Sequence, residues 1–268
     1  MTMLYAAKTI HVGDHPHFSL FGLTFDTDIA MSTLLAFLII LFMGWRLRKS
    51  ITDGVPGKFQ LIWEILVVDI VGDLVKGSLG DKGKRFIPLG VTVFVFVLVS
   101  NWIGFLPTAM HPGVSGEIFP APTSDVNLPL ALALFVIVWV HIESLRARRV
   151  GGYIKHFGKP AAWLTPINLI EEVTKPITLT LRLFGNLFSG GLIIVVVAAL
   201  ASKAIGPFEI IWKPFDLAIG FIQAYIFMLL TIIYLDMATS HEEEHEEKHE
   251  KKKDKKRPAV LELSLIHI

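Results

Sequence analysis

Ile29–Trp45, Phe86–Met110, Val126–Ile142 and Leu217–Leu235 are long, apolar and free of Asp, Glu, Lys and Arg. Runs of roughly 17–25 such residues match the thickness of a bilayer's hydrocarbon core when helical. With 53% hydrophobic residues, 18% charged residues and a mean hydropathy of +0.58, the 268-residue chain is expected to be an integral membrane protein. The formal net charge of +1 hides a segregation, because the charges collect between the apolar runs and in the tail. Arg46, Arg48 and Lys49 follow the first run, Asp81-Lys-Gly-Lys84-Arg85 precedes the second, and Arg146, Arg148, Arg149, Lys155 and Lys159 follow the third. The connection Pro107–Asn127 holds Glu117 and Asp125 but no Lys or Arg. The positive-inside rule then puts the N-terminus outside and the C-terminus in the cytoplasm; Lys203 and Lys213, near a link around Ile205–Pro214, are the minority.

A further segment runs from about Trp163 to Ser202, and its apolar part, Pro176–Ser202, would be an ordinary membrane helix but for Arg182. An arginine at the centre of such a helix costs roughly 2.5–3.5 kcal/mol on insertion scales, so it is expected to face protein or water and to have a task. Asn186 and Ser189 follow at i+4 and i+7 and share its stripe, with Gly185, Gly190 and Gly191 leaving shallow ground beside it. In the last span Asp216 and Gln223 stand seven positions apart, two turns along one face. Ionisable groups inside a membrane tend to mark ion or proton paths. The plainer alternatives are that Asp216 caps its helix at the interface and that Gln223 only bonds a neighbouring helix.

Gly57–Gly80 differs from the spans. Phe59, Ile62, Trp63, Leu66, Ile70 and Leu74 recur at helical spacing while Glu64, Asp69, Asp73 and Lys76 break any long apolar run, which predicts an amphipathic helix along the interface. The expected architecture is an all-α membrane protein of five transmembrane helices (about 28–47, 86–107, 126–145, 163–202 and 215–238) plus this interfacial helix (57–80). Asp28 is the expected N-cap of the first span. Residues 1–27 form an external segment with no secretory signal, so the first helix itself is expected to target the chain. Residues 241–268 form a charged cytoplasmic tail. Its last six residues, Leu263–Ile268, do not fit that tail and match one reading frame of a transposon end used in sequencing libraries, so they are read as adapter sequence.

The chain has no cysteine, which removes disulfides and thiol chemistry. His11, His15 and His17, and the i, i+4, i+8 set His241, His245 and His249, are read as solvated residues rather than metal ligands. There is no phosphate-cradling loop and no nucleophile constellation, so no cofactor and no catalysis by the chain alone are expected.

Arg182-Leu-Phe-Gly-Asn186 strongly resembles the central motif of the a subunit of the rotary F-type ATP synthase. Three other segments are similar to that family: Gln223-Ala-Tyr-Ile-Phe-Met-Leu-Leu-Thr-Ile-Ile-Tyr234, Asn168-Leu-Ile-Glu171-Glu172 to Lys175-Pro176, and Ser124-Asp125-Val-Asn127. The resemblance covers about residues 10–240 and implies a proton-channel stator in a bacterial plasma membrane. Its implied partners are a ring of c subunits, the b-type peripheral stalk and the remaining synthase subunits, with no nucleic acid. The last two long helices would face the ring. Arg182 would meet the ring carboxylates in turn and separate two aqueous half-channels. Asp216, Gln223 and Asn186 would line the external one, with Asp125 and Asn127 at its entrance, and Glu171 and Glu172 would serve the cytoplasmic one. Many members carry an acid nine positions after the arginine and a histidine seven before the glutamine, where this chain has Gly191 and Asp216. That pairing resembles actinobacterial members and makes Asp216 the expected proton relay. Two rivals stay open: a secondary transporter in which Arg182 binds an anion, and an anchor whose polar residues only pack helices.

Overall fold

The computed structural model describes residues 17–20, 23–52, 54–104, 120–157, 163, 165–200 and 205–239. The expected all-helical membrane architecture is present, and a short hairpin precedes it. Strands β1 (His17–Leu20) and β2 (Leu23–Asp26) pair antiparallel, Phe18 opposite Phe25 and Leu20 opposite Leu23. All other regular structure among the described residues is helical.

Helix α1 (Thr27–Ser50) begins directly after the hairpin. Its N-cap is Asp26 rather than Asp28, which sits in the first turn with Oδ1 accepting from the Ile29 amide at 2.9 Å. Arg48 and Lys49 in the last turn complement the negative end of the helix dipole. Only Ile29, Ser32 and Ala36 of α1 are buried, while Leu34, Phe37, Leu38, Leu41, Phe42 and Trp45 are more than half exposed. A continuous apolar face of that kind suits lipid, not water.

A continuous helical run follows: α2 (Lys58–Glu64), a π-helical segment (Ile65–Gly72) and α3 (Asp73–Leu79). Its amphipathic character is present, with Val71 and Val75 fully buried and Asp69 and Asp73 exposed. Gln60 ties the run to the end of α1. Its Oε1 accepts from the Thr52 amide at 3.1 Å, and its Nε2 donates to Thr52 O at 3.2 Å and Glu64 Oε1 at 2.8 Å. Gly80, at φ 60°, takes the left-handed conformation that ends α3, and a 3-10 turn (Gly80–Phe86) leads into α4 (Ile87–Ile103).

Past a short 3-10 turn (Pro122–Ser124) come α5 (Asn127–Phe157), α6 (Thr165–Leu200) and α7 (Ile205–Thr239). The region read as a link around Ile205–Pro214 is helical, so α7 starts ten residues before the expected bound and encloses Lys213 and Pro214. Stacked rings hold this first part together: Phe208 on Trp212 and Trp212 against Phe215, each at 5.4 Å between centroids. Pro214 removes one helical hydrogen bond but does not break the helix.

α7 is the hub. It packs along α4 and α5 and touches α3 and α6. Phe227, Met228, Ile232 and Leu235 of α7 meet Val93 and Val97 of α4, Val136 of α5, Leu179 and Leu183 of α6, and Val71 and Val75 in one core. Gly90 permits a close junction, since a Cβ there would lie 3.0 Å from Val71 Cγ1 and 3.4 Å from Ile232 Cδ1. At the end of the bundle where α4 starts, the buried Glu143 of α5 pairs with Arg146 at 2.6 Å and Arg85 at 3.4 Å. Among the described residues, four helical stretches are long and apolar enough to cross a membrane: Thr27–Ser50, Lys58–Ile103 taken as one run, Asn127–Ala147 and Ile210–Thr239.

Candidate functional site

On α6, at about 100° per residue, Glu171, Lys175, Arg182, Asn186 and Ser189 fall within roughly 40° of one line along the helix. The stripe borders the buried seam formed by Leu179, Thr180, Leu183 and Gly190, and Leu181 and Phe188 lie exposed on its other side. Arg182 is itself exposed and makes no ion pair among the described residues. Pro176 inside the helix withholds an amide from the Glu172 carbonyl, and Thr180 Oγ1 donates to Pro176 O at 2.8 Å. Ser189 Oγ donates to Asn186 O at 3.0 Å.

Asp216 lies about three turns inside α7, so it does not cap that helix. It is partly buried against α6: a Cβ at Gly190 would stand 3.4 Å from Asp216 Oδ1 and 3.9 Å from Trp212 Nε1. Gly190 is eight residues from Arg182, about 12 Å along the axis, and Glu172 is ten residues the other way, about 15 Å. Along α6, Arg182 thus stands beside the seam with Asp216 level with Gly190 on one side of it and Glu171 and Glu172 on the other.

Gln223 is buried, and its Nε2 has no hydrogen-bond partner among the described residues. The same holds for Asn186 Nδ2, Trp212 Nε1 and Ser100 Oγ. An unpartnered buried polar group costs about 1–3 kcal/mol. Four of them on α4, α6 and α7 mark places that call for water or a further polar group.

The two glutamates differ. Glu172 Oε1 binds Lys175 Nζ at 2.6 Å, and its Oε2 lies 3.8 Å from His141 Nε2 of α5. Lys175 Nζ in turn sits 5.5 Å from the centre of the Tyr234 ring on α7. Glu171 is exposed, and its backbone carbonyl accepts from Thr174 Oγ1 at 2.8 Å. Asp125 and Asn127 bond to each other: the Asn127 amide and side chain donate to the Asp125 carboxylate at 2.9–3.3 Å, which shapes the start of α5. Sequence reasoning passed over Asn101, Trp102 and Thr123. Asn101 is a buried amide in an apolar run, and such an amide needs partners; that signal was available. No group of three His, Asp or Glu side chains able to hold a metal occurs among the described residues. The side chains of His11, His15, His17, His241, His245 and His249, and the segment Leu263–Ile268, lie outside them.

A family profile described as ATP synthase A chain matches residues 29–236, which takes in every helix that carries the site. The chain belongs to that family. It is 43% identical over 235 residues to ATP synthase subunit a of Acidothermus cellulolyticus, covering 87% of this chain and 84% of that one. It is 42% identical over 250 residues to the subunit a of Mycobacterium marinum, covering 91% and 99%. With the subunit a of Shewanella frigidimarina the identity is 34% over 239 residues, covering 82% and 89%. The first two sources are actinobacteria, the group singled out by the Gly191 and Asp216 pairing. As a family member the chain is a multi-pass membrane protein that works with other ATP synthase subunits.

Proposed function

We propose that this chain is the proton-channel stator of the membrane sector, with Arg182 as the residue that couples proton flow to rotor movement. The observation that carries the proposal is Arg182 itself: a permanent charge in an apolar helix, exposed beside an apolar face and without an ion pair among the described residues. A charge so placed is costly unless its partner lies outside the chain, and a ring of carboxylate-bearing c subunits is such a partner. The architecture that goes with this reading is five spans and one interfacial helix, N-terminus outside, with α6 and α7 facing the ring and the b-type stalk holding the chain against rotation.

Protons enter by an aqueous half-channel past Asp125 and Asn127 at the start of α5 and reach Asp216, Asn186 and Gln223. The unpartnered polar atoms of Asn186, Trp212, Gln223 and Ser100 support a watered path there. Asp216 hands a proton to a rotor carboxylate, which becomes neutral and can turn into lipid, where an ionised one cannot go. Arg182 favours the ionised form of the carboxylate in front of it and keeps protons from leaking straight across. On the other side the proton leaves past Glu172 and Glu171. The electrical drive is about 2.3 kcal/mol per charge per 100 mV.

Crosslinking in the assembled complex tests the proposal, on the chain's cysteine-free background. Leu181→Cys, next to Arg182 and 58% exposed, is paired with a cysteine beside the rotor carboxylate. A crosslink that forms and blocks ATP-driven proton pumping is expected. An active complex with no crosslink would turn the stripe away from the rotor and favour the anchor reading.

A further inference from the structure

Asn101 and Trp102, adjacent at the end of α4, reach two backbone carbonyls one turn apart on α7. Asn101 Nδ2 donates to Gly220 O at 3.0 Å and Trp102 Nε1 donates to Leu217 O at 3.3 Å. Each carbonyl has a second lone pair available besides the one used in the helix. Asn101 is buried and doubly engaged, because its Oδ1 accepts from Thr123 Oγ1 at 2.7 Å. Thr123 is fully buried in the Pro122–Ser124 turn, which also touches α1, α5 and α6. Glycine at 220 is what lets the amide in: a Cβ there would stand 3.2 Å from Asn101 Cβ and 3.7 Å from its Nδ2. The two carbonyls fall between Asp216 and Gln223, the two polar side chains that α7 brings to the seam.

We propose that Asn101, oriented by Thr123, is a positioning residue: its bond to Gly220 fixes the height of α7, and so sets Asp216 and Gln223 against α6. Apolar contacts alone would not do this, since smooth side chains in lipid allow one helix to slide along another, whereas a directional bond to a carbonyl selects one register. The second half of this inference rests on the proton reading above; the first half, the fixed register, does not.

The test uses the complete complex in inverted membrane vesicles. Phe94 and Phe221 make an edge-on ring contact between α4 and α7, 5.6 Å between centroids, so the double variant Phe94→Cys, Phe221→Cys reports the register as disulfide yield. Passive proton conduction after removal of the soluble ATPase sector, as a function of pH, reports the path. Asn101→Leu should lower the disulfide yield and cut conduction about tenfold, with a displaced pH profile, as expected for a lost buried hydrogen bond. Thr123→Val should do the same more weakly, and Thr123→Ser should restore both readouts. Should Asn101→Leu prevent assembly, the Thr123 pair carries the test alone. Unchanged disulfide yield in Thr123→Val and Asn101→Leu would overturn the register claim. A lowered yield with unchanged conduction and pH profile would overturn the positioning role while leaving the proton reading untouched.

Discussion

Gly190→Val should separate the space beside Asp216 from the rest of α6. A Cβ at 190 stands 3.4 Å from Asp216 Oδ1 and 3.9 Å from Trp212 Nε1, which are ordinary contacts. Alanine therefore fits without movement and gains up to about 1 kcal/mol of helix preference over glycine. Valine extends two methyls about 1.5 Å further, and either the carboxylate or the helix has to shift. Overpacking of that kind costs about 1–3 kcal/mol. At about 1.4 kcal/mol per factor of ten, the step that needs Asp216 in place slows about fivefold to a hundredfold. The assay is passive proton conduction through vesicles stripped of the soluble ATPase sector, scaled to the amount of assembled complex. Gly190→Ala should stay within about twofold of the parent, because a Cβ alone displaces nothing. In an Asp216→Ala background the oxygen that valine displaces is gone, so Gly190→Val should add little more, a coupling that a double-mutant cycle measures. Valine conducting as well as alanine, or costing as much without Asp216 as with it, would refute the argument.

Arg182→Ala should abolish ATP-driven proton pumping in inverted vesicles. Arg182→Lys should stay strongly impaired despite keeping the charge, because lysine lacks the planar fork of donors. Glu172→Gln should slow proton release several-fold more than Glu171→Gln, since Glu172 sits among Lys175, His141 and Tyr234 while Glu171 is exposed; single-turnover acidification of the vesicle medium distinguishes them. Asp81, fully exposed, is held below the usual carboxylate range by its hydrogen bond to Lys84. A lowered folded value means that any stability from this pair is present at neutral pH and fades only as acid takes the pH down through that value. Between pH 6 and 8 the heat resistance of the complex should therefore show the same pH dependence in Asp81→Asn as in the parent, any difference in slope appearing only in acid.

The residues that announce themselves in the sequence are the ones that break a pattern. Arg182 interrupts an apolar run, and its stripe with Asn186 and Ser189 follows from helical periodicity alone. The approach of Asp216 to Gly190 was half legible: the family resemblance pairs Asp216 with Gly191, and Gly190 reads only as shallow ground beside the arginine stripe, whereas the 3.4 Å approach at Gly190 comes from the packing of α6 on α7. Lys213 and Pro214 read as a link because both are poor inside an apolar helix. α7 nevertheless runs on through them, with Phe208 stacked on Trp212 and Trp212 in tilted contact with Phe215 along this part. Asn101 stands out as an amide in an apolar run, but its partner was illegible. Its acceptor is a backbone carbonyl 119 positions away, and a carbonyl leaves no trace in a sequence.

The spacing along α6 explains why Arg182 makes no ion pair among the described residues although acids lie on the same helix and its neighbour. Two unit charges 4 Å apart attract by about 4 kcal/mol at an effective dielectric of 20, and at 12 Å by about 1.4 kcal/mol. Asp216, facing Gly190, lies about 12 Å from Arg182 along the axis, and Glu172 lies about 15 Å the other way, engaged by Lys175. Either acid one turn from Arg182 would neutralise it and leave nothing for a rotor carboxylate. In the proposed function, acids placed two to three turns away on each side would carry protons toward and away from the rotor while the arginine keeps its charge for it. Moving an acid inward, as in Asn186→Asp, one turn from Arg182, should therefore cripple coupling even though Asp216 and Glu172 are untouched. ATP-driven pumping in vesicles measures this, and an Asn186→Asp complex that pumps normally would show that Arg182 need not remain unpaired.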